Sequence, residues 1–355
     1  MGSTTFRLGV NNAENLFSRS KLFGCACPAK ALEDVAKLQQ ELAREQYDKP
    51  KIEELFGLVK ELVEINEVKG KLFSGDRVVA GGRAEWVGWI VPKPDRFDDQ
   101  TINNTARVLR EIDADVLCLV EVENLPTLRR FSSDMLRYQR HGRKRRYSGA
   151  MLVESNDPRG IDLGLLAQPG FEIGSVRSHV DEGIFSRDCP ELEVTLPSRE
   201  TLWMLLNHFK SKGYGRTQDN DRKRLVQARR VAEILTTRYD LKRDLVVVTG
   251  DLNDTPHSEP LRPLLELPDL IDILALAYPD EADRWTYSHD KRKAQIDYLL
   301  VSRPLAEWFK AAGVERRGIY GLSQLSTLGE REYDTVTCEA NSASDHAAVW
   351  ADFAL

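Results

Sequence analysis

Short apolar runs in this chain end, again and again, on a carboxylate, a carboxamide or a histidine. Phe6–Asn11 leads into Asn12 with Glu14-Asn15, Val116–Val120 into Glu121 with Glu123-Asn124, and Leu202–Leu206 into Asn207-His208. Leu245–Thr249 leads through Gly250 to Asp251-Leu252-Asn253. Gln295-Ile296-Asp297 opens Tyr298–Val301, and Ser344-Asp345-His346 opens Ala347–Phe353. Runs this short predict strands, and a near-continuous one such as Val116–Val120 predicts a strand buried on both faces. Hard oxygen ligands, carboxamides and two histidines at strand ends suit metal-assisted attack on a phosphate ester.

Leu163–Ala167 and Leu192–Leu196 read as further strands, and the spacing predicts helices over Thr101–Glu111 and Asp221–Thr237. From Ala29 to Lys69, Leu32, Val35, Leu38 and Leu42, then Ile52, Leu55, Leu58, Val59, Leu62 and Ile65, recur at helical spacing. Pro50 lies near the start of the second series and predicts a helical hairpin broken around Tyr47–Pro50. Arg77–Ile90, with Gly81-Gly82 between two apolar stretches, predicts a β-hairpin. Strands outnumber long helices, which excludes a Rossmann sheet with one helix per strand and favours two packed sheets with helices outside. The expected organisation is one domain over residues 1–355, with residues 20–98 inserted into it as a helical hairpin plus a β-hairpin.

An apolar fraction of 41% with 30% charged residues is ordinary for a soluble chain that buries a core. No run reaches the length of a membrane helix and no apolar leader precedes Phe6–Val10, so no membrane partner and a cytoplasmic location are expected. Cys25, Cys27, Cys118, Cys189 and Cys338 are odd in number and scattered, which predicts no disulfide framework; Cys25-Ala26-Cys27 is too tight for a zinc knuckle. A net charge of −6 means that any nucleic-acid contact must come from a locally basic surface. Two clusters qualify: Arg137, Arg140, His141, Arg143, Lys144, Arg145 and Arg146 with Tyr138 and Tyr147 flanking, and Arg222, Lys223, Arg224, Arg229 and Arg230 on a helix. Each reads equally well as a solvated loop or helix face.

Every motif has two readings. Asp251 and Asn253 could activate a water and hold it in line with phosphorus, or form an Asx turn. Asp345 and His346 could bind metal and move a proton, or open a strand with the histidine exposed. Asp297 could accept from His346 and fix its tautomer, or cap a turn. Glu121 at the end of a buried run is costly without a cation, so metal ligation explains it, although Glu123 should point to the same face. Asn12 could bind metal, position a carboxylate or simply turn the chain. His208, Lys210 and Lys212 could meet a phosphate, and Arg159 and Arg187 could clamp one through guanidinium's bidentate fit, or all could be solvated.

With these residues in hand, the chain resembles the endonuclease/exonuclease/phosphatase superfamily, the deoxyribonuclease-like fold, over Phe6–Asn15 and from about Asp99 to the carboxyl end. Asn12-Ala13-Glu14-Asn15-Leu16-Phe17, Arg159-Gly160-Ile161-Asp162 and Asn207-His208-Phe209-Lys210-Ser211-Lys212 are similar to its bacterial extracellular-type nucleases. The resemblance implies a four-layer α/β sandwich with two central, mostly antiparallel sheets. It implies Mg²⁺ or Mn²⁺ held by Glu121 with Asn12 and Asp345 close by, and water activated by Asp251 with Asn253. His346, oriented by Asp297, would stabilise the pentacovalent phosphate, with His208 and Arg187 on its oxygens. The expected reaction is phosphodiester hydrolysis in nucleic acid, DNA foremost and RNA second. A phosphatase or phosphodiesterase of small phosphoesters, or a non-catalytic scaffold, are the other readings. Val120 stands where the family carries Gln, and the insertion, which could be a surface for a protein partner, departs from a minimal member.

Overall fold

Alternation within the apolar runs decides the architecture. Leu202, Met204 and Leu206 enter one core while Leu205 enters another; Leu245 and Val247 part in the same way from Val246 and Val248, and Leu299 and Val301 from Leu300. Side chains of successive strand residues point to opposite faces, so each of these strands is covered on both sides. Each fully buried aliphatic side chain contributes roughly 1.5–3 kcal/mol, which makes these strands the most firmly held part of the molecule.

The structure, a computed structural model, describes residues 5–95, 99–140, 142–155, 157–181, 183–213 and 215–354, without the side chain of Arg143; His141 of the first basic cluster lies outside them. The chain divides into two compact units, residues 1–17 with 98–355 and residues 18–97. The strands of the larger unit's two sheets are β1 (Thr5–Leu16), β2 (Val116–Val122), β3 (Gly149–Val153), β4 (Asp162–Ala167), β5 (Glu172–His179), β6 (Cys189–Thr195), β7 (Thr201–His208), β8 (Leu245–Asp251), β9 (Leu270–Asp272), β10 (Asp297–Ser302), β11 (Phe309–Glu315) and β12 (Ala348–Ala354). They form two six-stranded sheets, ordered β11-β12-β1-β2-β4-β3 and β5-β6-β7-β8-β10-β9. Among the described residues of these sheets, only β1/β2 and β7/β8 are parallel.

Helices α1 (Gln100–Ile112) and α2 (Leu125–Met135) lie on the first sheet, and α3 (Thr217–Arg238) on the second. The result is the expected four-layer sandwich with two central, mostly antiparallel sheets. Capping starts the first two helices: Asp99 Oδ1 accepts from Ile102 N at 2.9 Å and Asn124 Oδ1 from Thr127 N at 2.9 Å. Several elements have no counterpart in the sequence reading. Strand β5 is polar and largely exposed, β11 reads Phe-Lys-Ala-Ala-Gly, and α2 opens with Leu-Pro. None of them carries a clean apolar period.

Register places the polar ends. The β7/β8 ladder sets His208 opposite Asp251, and the β8/β10 ladder sets Asp251 opposite Asp297. Three chemically active side chains therefore share one rung at the ends of three interior strands of one sheet.

The smaller unit packs helices Pro28–Leu42 and Lys49–Val59 around Leu38, Leu42, Ile52, Leu55 and Val59. Its β-structure differs from the sequence expectation. Val63–Lys69, expected to continue the second helix, is a strand paired with Val87–Pro92, because β-branched Val63, Ile65 and Val68 follow the helix end. The tight turn is at Gly75, φ 61°, between Phe73–Ser74 and Arg77–Val78, and not at Gly81-Gly82. Gly82 serves a close approach instead: a Cβ there would lie 1.8 Å from the Glu45 carbonyl oxygen. All five cysteines are free, and no helix among the described residues is long and apolar enough to cross a membrane.

Gly250 lies on the neighbouring rung and permits a close backbone approach there. Its φ is 131°, and a Cβ would fall 1.9 Å from the Asn207 carbonyl oxygen of the paired strand. Gly250→Ala should lower the unfolding free energy by ~2 kcal/mol or more, read in denaturant melts. An unchanged midpoint would show that β7 and β8 can spread without cost.

Candidate active site

Asp251 is 1% exposed, and both of its oxygens accept hydrogen bonds. Oδ1 takes Asn253 N at 2.8 Å; Oδ2 takes Asn253 Nδ2 at 3.0 Å and Asn12 Nδ2 at 3.1 Å. Asn253 reaches back because its own backbone is left-handed, φ 54°. The Asx turn and the functional reading thus describe one arrangement: the turn locks the carboxylate. Burial raises Asp251 from the usual carboxylate range, the nearby Asp297 adds to this, and His346 opposes it.

His346 comes from the other sheet. Its Nδ1 lies 2.8 Å from Asp297 Oδ2, which also accepts from Thr286 Oγ1 at 2.7 Å. Its Nε2 faces Asp251 Oδ2 at 3.8 Å and Asp345 Oδ1 at 3.7 Å. Burial alone would lower the imidazole, but Asp297, Asp251 and Asp345 outweigh it and hold His346 well above its ordinary value. His208 behaves oppositely: burial first, then Arg187 and His346, hold it well below. Its Nε2 stands 3.6 Å from Glu121 Oε1 and 3.7 Å from Asp251 Oδ2.

Glu121 breaks strand alternation. It has φ 65°, and both ladders of β2 shift register beside it. This bulge turns Glu121 into the cleft, while Glu123 accepts from Thr127 Oγ1 at 3.0 Å on helix α2. The conflict between the two glutamates in the sequence is resolved by that one irregular residue. Glu14 sits at a similar kink of β1, φ 47°, and accepts from Asp345 N at 3.0 Å. Burial and the Asp345 charge raise it. Asn12 has both ends engaged: Nδ2 donates to Asp251 while Oδ1 accepts from Glu14 N at 3.0 Å. It positions the acids around it.

Asn12, Glu14, Glu121, Asp251, Asp345 and both histidines line one cleft of about 610 Å³. Arg159 and Arg187 line its wall, and Lys210 lines an adjoining cavity of about 440 Å³ together with both arginines. Arg187 is only 3% exposed; Nη1 donates to the carbonyls of His208 and Phe209 at 3.3 and 3.2 Å, and Nε faces Asp157 at 3.2 Å. It fastens the end of β7, and its charge adds to burial in holding His208 below its ordinary value. The second basic cluster is tied down in part. Arg224 is fully buried against Asp254 and Asp221, and Arg230 pairs with Asp181, because α3 must neutralise charge where it meets the sheet.

Glu14 and Lys212, which belong to the Asn12 and His208 motifs, also line the cleft; Tyr287 lines it and Thr286 lies behind it, although the sequence marks neither. Glu14 shares the Asn12 motif, which is signal enough to find it; a lone threonine 11 positions from Asp297 gives none.

The donor chemistry fits a divalent cation. Several carboxylates crowd one water-accessible cleft, and mutual repulsion already raises Glu14 through Asp345. Asp251, Asp297 and His346 also bring ligand atoms within 4.8 Å of one another and could hold an ion. However, Asp297 Oδ2 and His346 Nδ1 already engage each other, so the Glu121–Asp345 side offers the more open oxygen ligands.

The model of the endonuclease/exonuclease/phosphatase family matches residues 79–346. No curated protein matches the chain. Among solved structures, a Bacteroides thetaiotaomicron protein of that family is 12% identical, covering 99% of this chain and 95% of its own, with a TM-score of 0.53. A mannosyl-6-phosphatase of the same species is 14% identical, covers 71% and 90%, and scores 0.50. D. rerio TDP2 complexed with a single-strand DNA product is 14% identical, covers 72% and 94%, and scores 0.50. These likenesses show the fold, and the family match spans most of the length: the chain belongs to the endonuclease/exonuclease/phosphatase family.

Proposed function

We propose that this protein hydrolyses phosphodiester bonds in nucleic acid, DNA foremost. One observation carries the reading: His208, Asp251 and Asp297 occupy a single rung, and Glu121 and Asp345 line the same cleft. Glu121 and Asp345, steadied by Asn12 and Glu14, would hold Mg²⁺ or Mn²⁺, which supplies Lewis-acid polarisation of a phosphoryl oxygen.

The chain's own groups do the rest. Asp251, its oxygens fixed by Asn253 and Asn12, accepts a proton from the attacking water and aims it at phosphorus. His346 presents a charged Nε2–H to the developing phosphorane oxygens, with Asp297 holding the other nitrogen. His208 is neutral, so it binds an oxygen without competing with the cation for the acids. Arg159, Lys210 and Lys212 flank the acidic cleft, Arg159 paired with Asp157 and Lys212 with Asp254, and a bound phosphate would share these cations with the aspartates. Residues 20–98 would be an insertion within this one catalytic domain.

A second reading is a phosphatase or phosphodiesterase of a small phosphoester. It is favoured by the mannosyl-6-phosphatase of the same fold, since fold does not fix substrate.

Asp251→Asn should cut polynucleotide hydrolysis by about 10²–10⁴-fold, the usual worth of a general base. A cooperative melt should show that the variant is folded, so that the loss reports on chemistry. Retained turnover would remove Asp251 from its role. Chelation should abolish activity, and added Mg²⁺ or Mn²⁺ should restore it. Intact single- and double-stranded polynucleotides beside a cleaved small phosphoester would decide for the second reading.

A further inference from the structure

The basic run after helix α2 separates into two sets. Arg140 Nη1 donates to the Arg110 and Glu111 carbonyls at 3.0 and 2.9 Å, and Arg145 binds Asp113 Oδ1 at 2.6 Å and Asp115 Oδ1 at 2.9 Å. These two hold the end of α1. Arg137 and Arg146 face elsewhere. With Arg129 from α2 they line a groove of about 280 Å³, together with Ser132, Ser133 and Tyr147. Among the described residues, none of these three guanidinium groups has an acid partner; neighbouring Asp134 already faces Arg130 at 3.7 Å and accepts from Ser133 Oγ at 2.8 Å. Three like charges converging on one groove repel one another unless an anion joins them.

The groove's place in the fold gives it a direction. β3 starts beside it at Gly149 and is the edge strand of the first sheet. Gly149 pairs with Ala167, and Ala167 with Val116, whereas the cleft lies at the Val122–Asp162 end of the same ladders. From Val116 to Glu121, at about 3.3 Å per residue, the separation is roughly 17 Å. β3 then runs on to the loop bearing Arg159 at the cleft wall. One segment of chain, the partly buried edge strand of the first sheet, thus joins the basic groove to the candidate cleft.

We propose that the Arg129–Arg137–Arg146 groove is an exosite for the phosphate backbone of a polynucleotide that runs along β3 into the cleft. Guanidinium groups match phosphate bidentately, and a strand of duplex carries one phosphate per ~3.4 Å, so about five base pairs cover the distance. The contact is to backbone and adds affinity without base preference. This proposal rests on the nuclease reading and names how that site would favour long substrates over short ones.

The test uses the full chain with Arg129→Ala, Arg137→Ala and Arg146→Ala combined, on the Asp251→Asn background for binding and on the parent background for cleavage. Against a labelled duplex of about 30 base pairs at ~50 mM salt, the triple variant should bind about tenfold more weakly. The slope of log affinity against log salt should fall by about 0.9 for each phosphate that the variant no longer neutralises. A tetranucleotide, too short to reach the groove, should be cleaved equally by both proteins. The corresponding triple Lys variant should recover most of the duplex affinity, and a melt should match the parent; if the triple Ala variant fails to fold, Arg146→Ala alone carries the same comparison. Equal duplex affinity and slope would overturn the exosite while leaving the nuclease reading intact, provided the parent cuts the duplex. A parent that neither binds nor cuts polynucleotide would remove both. Arginine-dependent binding to phosphatidylserine vesicles, with none to duplex, would also overturn it.

Discussion

The hydrogen bond between Asp297 and His346 is the contact on which the site depends, because it joins the two sheets at the point of chemistry. Asp297 is fully buried at the start of β10, and His346 precedes the last strand of the opposite sheet. Separately each would be a liability: a carboxylate with no water and an imidazole held away from its preferred state. Together, with Thr286 donating to the same oxygen, they form a charge-assisted pair whose members lie 49 residues apart in sequence. Removing one partner would leave the other charge buried, a loss of about 3–5 kcal/mol in comparable pairs. The site is therefore also a clamp on the sandwich.

That clamp sets two histidines to opposite states a short distance apart. His346 faces Asp297, Asp251 and Asp345 and stays charged; His208 faces Arg187 and stays neutral. Burial acts on both in the same direction, so the difference comes from neighbours alone. In the proposed mechanism, this separation would let a proton donor and a neutral ligand operate together at one pH. Arg187, which sequence suggests as a phosphate clamp, contributes through the backbone of β7 and through its field on His208.

Much of this is legible in the sequence because the active groups sit at the ends of the most apolar strands. The runs before Glu121, His208 and Asp251 are visible as hydrophobic blocks, and their polar ends need no structure to be noticed. Two kinds of information are hidden. Left-handed residues at Glu14, Glu121 and Asn253 re-aim side chains in ways that strict alternation cannot show. Partners drawn from distant segments, such as Thr286 on Asp297 and Asn12 on Asp251, depend on sheet packing rather than on any local pattern. The ribbon of the smaller unit is misplaced by sequence for a related reason: Gly81-Gly82 looks like a turn, but Gly82 is there because another backbone passes close by.

Charge runs are the least legible feature, since a string of arginines says nothing about which of them are already neutralised. In the 137–146 run, Arg140 and Arg145 complete the end of α1, whereas Arg137 and Arg146 are joined by Arg129, which the run does not contain. On α3, Arg224 is buried against two aspartates and Arg230 pairs with Asp181. A basic residue at a sheet–helix junction is drawn into structure because burial demands a counter-charge. One on the rim of a groove is left to attract something from solution. The distinction between structural and available charge is made by packing, and on the nuclease reading it is what would turn a protein of net charge −6 toward a polyanion.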